Sequence, residues 1–233
     1  MSLNFGQQLF PSRNEPIVSY DFFDISDGVG YDIFYGVNFN DGSYGIVTSN
    51  QTFSENVTTS ATVTEGETPT KYLDLVFDIT FNVPKNIKGE IYINIPISAR
   101  KVNGNDAGDS TTTFAKVRAY HYDGSTETII GSEVTTDSVT TNTSVGDSSN
   151  SNAKVTLSQI TASSIVHFKA GEILRFDIEI WGSEVDVGDG TVKVGHDPAN
   201  RNPGITWDED PTTETGAEQN TQMSFHVPFK LDI

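Results

Sequence analysis

Cysteine is absent from this chain of 233 residues. Disulfides and thiolate metal sites are therefore excluded, and side-chain packing has to hold the fold. Long apolar runs are missing too: nowhere do ~18 apolar residues follow one another, so no segment reads as a membrane-spanning helix. The opening segment, MSLNFGQQLFPSRNEP, lacks a basic stretch followed by an apolar one, so no secretory leader is expected and synthesis in a cytoplasm is. Basic residues are scarce, 14 Lys and Arg against 32 Asp and Glu, for a formal charge of -18. Such a field repels phosphate, and no local cluster of Lys or Arg offsets it, so neither nucleic acid nor a membrane is expected as a partner. Motifs of reactive chemistry are lacking as well. There is no G-x-S-x-G elbow, no H-x-H and no H-E-x-x-H, and His121, His167, His196 and His226 stand singly. Helical periodicity never lasts beyond two turns, and no repeat of 20–50 residues points to a propeller or solenoid.

What the chain does have is period two. In Val166–Trp181, a turn at Lys169-Ala170-Gly171 is followed by Leu174, Phe176, Ile178 and Ile180 on one face and Arg175, Asp177, Glu179 and Trp181 on the other. Successive strand side chains point to opposite faces, so this is a half-buried antiparallel strand. The pattern recurs in Lys71–Val83, with Leu73, Leu75, Phe77, Ile79, Phe81 and Val83 inward, and in Glu90–Ile97, with four isoleucines inward. There, Pro96 facing outward suggests an edge or a strand end. It recurs again in Gln222–Ile233, expected to pair centrally. Asn40-Asp41-Gly42 signals a hairpin between Tyr31–Val37 and Ser43–Ser49. Glu65–Pro69, Asp123-Gly124 and Gly182-Ser183-Glu184 read as turns, and Glu127–Val139 as one strand. About ten strands with long, uneven connections predict an all-β, jelly-roll or Greek-key antiparallel β-sandwich.

Residues 1–28 read as an irregular N-terminal arm, and 29–233 as a single β-sandwich domain with polar loops at 102–112 and 140–152 and an insertion at 196–219. The arm is broken by Gly6, Pro11, Asn14 and Pro16, yet Phe5, Leu9, Phe10, Tyr20, Phe22 and Phe23 are too apolar for a free linker. It must bury against the domain's own flank or against a neighbouring subunit, a low-cost route to oligomers.

Binding chemistry is sparse. Asn103, Asn105, Asp106 and Asp109 form an oxygen-rich loop of the kind calcium uses, though Asx/Gly clusters are also ordinary turn formers. Asp186 with Asp189, and Asp208 with Glu209 and Asp210, are lesser versions. No other cofactor is indicated. Trp181 and Trp207 are the two aromatic side chains that could serve as sugar platforms, or else lie beneath a loop or at a subunit contact. No carboxylate pair stands out for glycoside chemistry, and no enzyme is expected.

The strand HFKAGEILRFDIEIWG, the DPANR stretch (Asp197–Arg201) before an acidic loop, and the segment MSFHVPFKLDI, with the apolar arm, resemble structural virion proteins of tailed double-stranded DNA viruses of bacteria or archaea. The likeness is to jelly-roll head auxiliary or decoration proteins and covers mainly 166–233. It implies a non-enzymatic subunit on the outside of a capsid, assembled in the host cytoplasm and often trimeric. Its partners would be the major capsid protein or neighbouring virion subunits. The alternative is a carbohydrate-binding or adhesin-type sandwich using Trp181 or Trp207.

Overall fold

The computed structural model describes residues 29–64, 66–102, 110–142, 149–185, 189–201 and 220–230. These residues form twelve strands: β1 (Val29–Asn38), β2 (Tyr44–Val47), β3 (Thr58–Val63), β4 (Gly66–Thr80), β5 (Lys85–Val102), β6 (Ser110–Tyr122), β7 (Glu127–Thr135), β8 (Val139–Asn142), β9 (Ser149–Phe168), β10 (Ile173–Val185), β11 (Asp189–Gly195) and β12 (Ser224–Lys230). The first sheet has the order β2-β1-β12-β5-β11-β3, with β9 on the other edge of β5. The second has the order β4-β10-β6-β7, with β8 also paired to β6. Every pairing is antiparallel. The chain crosses between sheets at β3–β4, β4–β5, β5–β6, β8–β9, β9–β10 and β10–β11. This is the expected all-β sandwich of jelly-roll type.

The inward phase of each strand supplies the core. Ile91, Ile93, Ile95 and Ile97 of β5 are buried against Leu174, Phe176, Ile178 and Ile180 of β10, in one cluster that also holds Phe77, Phe225 and Phe229. The Phe225 ring bridges the sheets, its centroid 5.4 Å from that of Phe77 and 4.8 Å from that of Phe176. Burying side chains of this kind contributes roughly 1.5–3 kcal/mol each, an upper estimate because unfolded chains are already partly collapsed. The Asp41-Gly42 hairpin forms as expected, with Gly42 at φ 80° and the Asp41 carboxylate accepting from the Ser43 amide at 2.9 Å. β12 lies between β1 and β5, the central position its sequence predicts.

Several boundaries differ from the sequence reading. β10 does not stop at Gly182-Ser183-Glu184 but runs on to Val185, so residues 66–69 of the expected turn at Glu65–Pro69 are strand, Gly182 pairing with Thr70 and Glu184 with Gly66. Val83 is 58% exposed rather than inward. Pairing with the 169–172 turn ends at Phe81, whose amide donates to Glu172 O at 3.0 Å, and the chain then swings to the other sheet. Glu127–Val139 divides into β7 and β8. Thr136 ends β7 by turning its amide onto Ala115 O at 2.9 Å and its hydroxyl onto the Ala115 amide at 3.0 Å. Pro96 marks no edge: it sits inside β5, paired with Val155 of β9 on one side. On the other side, β12 reaches Asn94 and β11 begins at Ile97. The missing N–H thus falls where β5 changes partner.

The expected loops are also shorter, because Val102, Ser110–Thr112, Thr140–Asn142 and Ser149–Asn152 are strand. Of the 196–219 insertion, 196–201 packs onto the domain. The remainder of that segment and the arm 1–28 lie outside the described residues.

Candidate functional site

Charged and aromatic chemistry gathers on the outer face of the second sheet. Period two turns Arg175, Asp177, Glu179 and Trp181 of β10 outward, and register fixes their neighbours. Arg175 lies between Asp78 and Tyr120, Asp177 between Val76 and Arg118, and Glu179 between Asp74 and Lys116, while Trp181 faces Phe114. Arg118 is the hub. Its guanidinium reaches Asp177 Oδ2 at 3.0 Å and Glu179 Oε1 at 3.2 Å on one side, and Glu133 Oε2 at 2.5 Å on β7. Lys71 adds 2.7 Å to Asp74 and 3.2 Å to Glu179. Arg175 grips Asp78 with two bonds of 2.8 and 2.7 Å and also meets Glu127.

This lattice splits two adjacent carboxyls. Burial would raise Glu179, but hydrogen bonds from Trp181, Arg118 and Lys71 outweigh it and hold the group below its ordinary value. Asp177 moves the other way: burial first, then the neighbouring Asp74 carboxyl, hold it above its ordinary value against the pull of Arg118. Asp74, Asp177 and Glu179 each bring an oxygen within 4.8 Å of the others, the spacing a hard cation would use. Two resident cations already occupy that ground, however, since Arg118 binds Asp177 and Glu179 while Lys71 binds Asp74 and Glu179. The face therefore reads as an ion-pair lattice in which Lys71, Arg118 and Arg175 are each shared among two or more carboxylates.

Trp181 is half-buried within it. Its Nε1–H donates to Glu179 Oε2 at 2.8 Å, Lys116 Nζ lies 3.9 Å from its ring centroid, and the Phe114 ring lies 11° from parallel at 6.4 Å. An indole whose face holds an ammonium ion is engaged in a cation–π contact, so one face of the Trp181 ring is taken by Lys116.

The histidines are tied as well. His121 Nε2 lies 2.7 Å from Glu172 Oε2, His167 Nδ1 2.7 Å from Asn86 Oδ1, and His196 Nε2 2.8 Å from Thr59 Oγ1. His226 Nε2 lies 3.2 Å from Ser224 Oγ, but that hydroxyl also accepts from Asn94 Nδ2 at 3.0 Å. No carboxylate among the described residues stands behind the His226 imidazole to orient it, as a nucleophilic triad would require. Ser54 and Asp197 lie near His196 in space, yet Ser54 Oγ donates to the His196 carbonyl at 2.8 Å rather than meeting its ring.

Two buried polar groupings escaped the sequence reading. Lys101 of β5 and Glu184 of β10 are both fully buried and form an ion pair between the sheets, joined by the Thr111 hydroxyl. His196 and Asp197 are the other, both 0% exposed. Each had a signal, since Lys101 continues the inward phase of Ile97 and Ala99, Glu184 that of Ile178 and Ile180, and His196 that of Val192 and Val194. Lys101 and Glu184 lie past the strand ends that the sequence suggests, at Ile97 and Trp181, and His196 lies just past the end of β11 itself. The remaining candidates, Phe5, Leu9, Phe10, Tyr20, Phe22, Phe23, Asn103, Asn105, Asp106, Asp109 and Trp207, lie outside the described residues.

No protein-family model matches the chain, and no curated protein does. Solved structures similar to it include a CocE/NonD family hydrolase from Staphylococcus aureus, at 12% identity and TM-score 0.40, over 86% of this chain and 37% of that one. The structure of infectious bursal disease virus, Gx strain, is similar at 8% identity and TM-score 0.26, over 88% and 37%. The VP2 protein of infectious bursal disease virus in derived T=1 particles is similar at 9% identity and TM-score 0.28, over 88% and 36%. The chain thus spans little more than a third of the proteins it resembles.

Proposed function

We propose that the chain is a non-enzymatic structural protein of a virion, a decoration or auxiliary subunit on the outer shell of a capsid, assembled in the host cytoplasm. The observation that carries this reading is where the chemistry-bearing side chains go. All four histidines and the Asp74, Asp177 and Glu179 carboxylates are engaged by neighbouring side chains, and none of these contacts assembles a nucleophile, base and orienting group. A scaffold of this kind serves by its surfaces. The segment best suited to join it to a shell is the apolar arm, whose Phe5, Leu9, Phe10, Tyr20, Phe22 and Phe23 would bury against the major capsid protein or a neighbouring copy. A trimer is the assembly this reading favours.

Deleting residues 1–28 should leave a folded sandwich, seen as an unchanged far-ultraviolet spectrum and a cooperative melt, that no longer copurifies with particles. Normal incorporation of that truncation would sink the proposal. The carbohydrate-binding alternative is disfavoured by the cation seated on Trp181. Glycan-array binding that is lost in Trp181→Ala would reinstate it.

A further inference from the structure

The corner where β11 ends is built around a histidine that has no provision for charge. β11 carries Val192 and Val194 inward, and His196 takes the next inward position just past the strand. Its Nε2 lies 2.8 Å from Thr59 Oγ1 on β3, which lies 2.8 Å from the Tyr44 hydroxyl on β2. The ring meets Tyr44 edge-on at 5.4 Å, and its Nδ1 is buried with no hydrogen-bond partner. Backbone bonds knit the same residue into the corner: its amide donates to Val57 O at 3.2 Å, and its carbonyl accepts from Ser54 Oγ. Asp197 completes the joint. Its carboxylate accepts from the Ser54 amide at 3.1 Å and the Arg201 amide at 2.7 Å, and its own amide donates to Thr221 O at 3.0 Å. Asn200, at φ 48°, accepts from the Thr221 amide at 2.8 Å. One dipeptide therefore ties the 48–57 connection, β3 and the approach to β12 together. It also anchors the chain on both sides of residues 202–219.

A neutral imidazole can live with one unsatisfied nitrogen, but an imidazolium there would carry a second N–H with nothing to receive it. Burial opposes the imidazolium more than the neighbouring Asp197 charge favours it, and among the described residues no carboxylate meets the ring. The Asp197 carboxylate is turned to Ser54 and Arg201, and Arg201 is itself a cation. The 48–57 connection offers Glu55, which is exposed; β2 offers the Tyr44 hydroxyl, already on Thr59. β3 and residues 220–223 carry no titratable group, and β4 reaches the corner through Phe77, which lies against Tyr44.

We propose that this corner is an acid-released latch: protonation of His196 parts the 196–201 segment from the 48–57 connection while the two sheets stay folded. Burial pushes the closed imidazole down to about 4 from an ordinary 6.5. A histidine depressed in the closed state holds the latch fully above pH 6.5 and loses that hold as pH falls toward 4. At pH 4.5 the ratio of open to closed should be roughly 70-fold higher than at pH 7.5.

Amide hydrogen exchange, corrected for intrinsic rates, reads this directly. Protection of the Ser54 and Asp197 amides should fall about 70-fold between those two pH values, while amides of β5 and β10 keep theirs. His196→Gln, neutral throughout, should abolish the acid response, and His226→Gln should retain it. Loss of protection in His196→Gln with the same acid dependence as the wild type would overturn the latch, as would pH-independent protection in the wild type. If His196→Gln does not fold, an imidazole titration of the wild type by NMR decides. A midpoint for His196 at or above 6 refutes the latch; one well below it, moving together with the exchange, supports it.

Discussion

A lysine with no solvent contact has to be matched, and Lys101 is matched by Glu184 across the gap between the sheets. The pair stands where β5 and β10 would otherwise continue the aliphatic core, and Thr111 gives Glu184 a further bond. Gly190 leaves room for it, because a Cβ there would strike both Glu184 and Thr111. Removing one partner strands a buried charge, whereas removing both replaces the pair with ordinary packing. Lys101→Met alone should therefore cost about 3–5 kcal/mol in urea unfolding, and Lys101→Met with Glu184→Leu should recover most of that loss. A single substitution as mild as the double one would mean that the pair is solvated rather than buried. By contrast, the ion pairs around Arg118 include half-exposed partners such as Glu133, and their individual loss should cost about 1 kcal/mol or less.

Elements were legible where one face is buried and the other wet, because period two then registers in the residues themselves. β1, β2 and β12 are all close to their sequence expectation for that reason. Their ends were not legible, since a strand stops where its partner stops, and partners are set by topology. Val83 illustrates this: it keeps the inward phase of Phe77, Ile79 and Phe81, yet pairing ends at Phe81 and Val83 is 58% exposed. The same rule concealed Lys101 and Glu184, which sit in strand beyond the ends that the sequence suggests. Two substitutions separate phase from burial. Phe225→Ala, on the central strand β12 and between Phe77 and Phe176, should cost about 3–5 kcal/mol. Val83→Ala should fall within about 0.5 kcal/mol of the wild type. Chemical denaturation measures both, and comparable losses at the two positions would contradict the exposure of Val83.

For the whole molecule, charge is the term that composition alone fixes and that no pairing cancels. Fourteen basic residues can neutralise at most fourteen of the 32 acids, which leaves the formal charge of -18. The outer face of the second sheet shows how the bases are used: Lys71, Arg118 and Arg175 are each shared between two or more carboxylates. Excess acid elsewhere repels itself, and repulsion between exposed charges is screened by salt. Screening also weakens the exposed ion pairs, but these contribute little individually, so relief of repulsion should win. The melting temperature is therefore expected to rise as NaCl goes from about 10 to about 150 mM, over which the Debye length shrinks from roughly 30 to 8 Å. A flat or falling profile would mean that the ion-pair lattice, and not the net charge, governs stability. Calcium chloride at matched ionic strength separates a second effect. Equal stabilisation by calcium and sodium would assign Asn103, Asn105, Asp106 and Asp109 to turn formation, whereas an additional rise with calcium that saturates would make that loop a binding site.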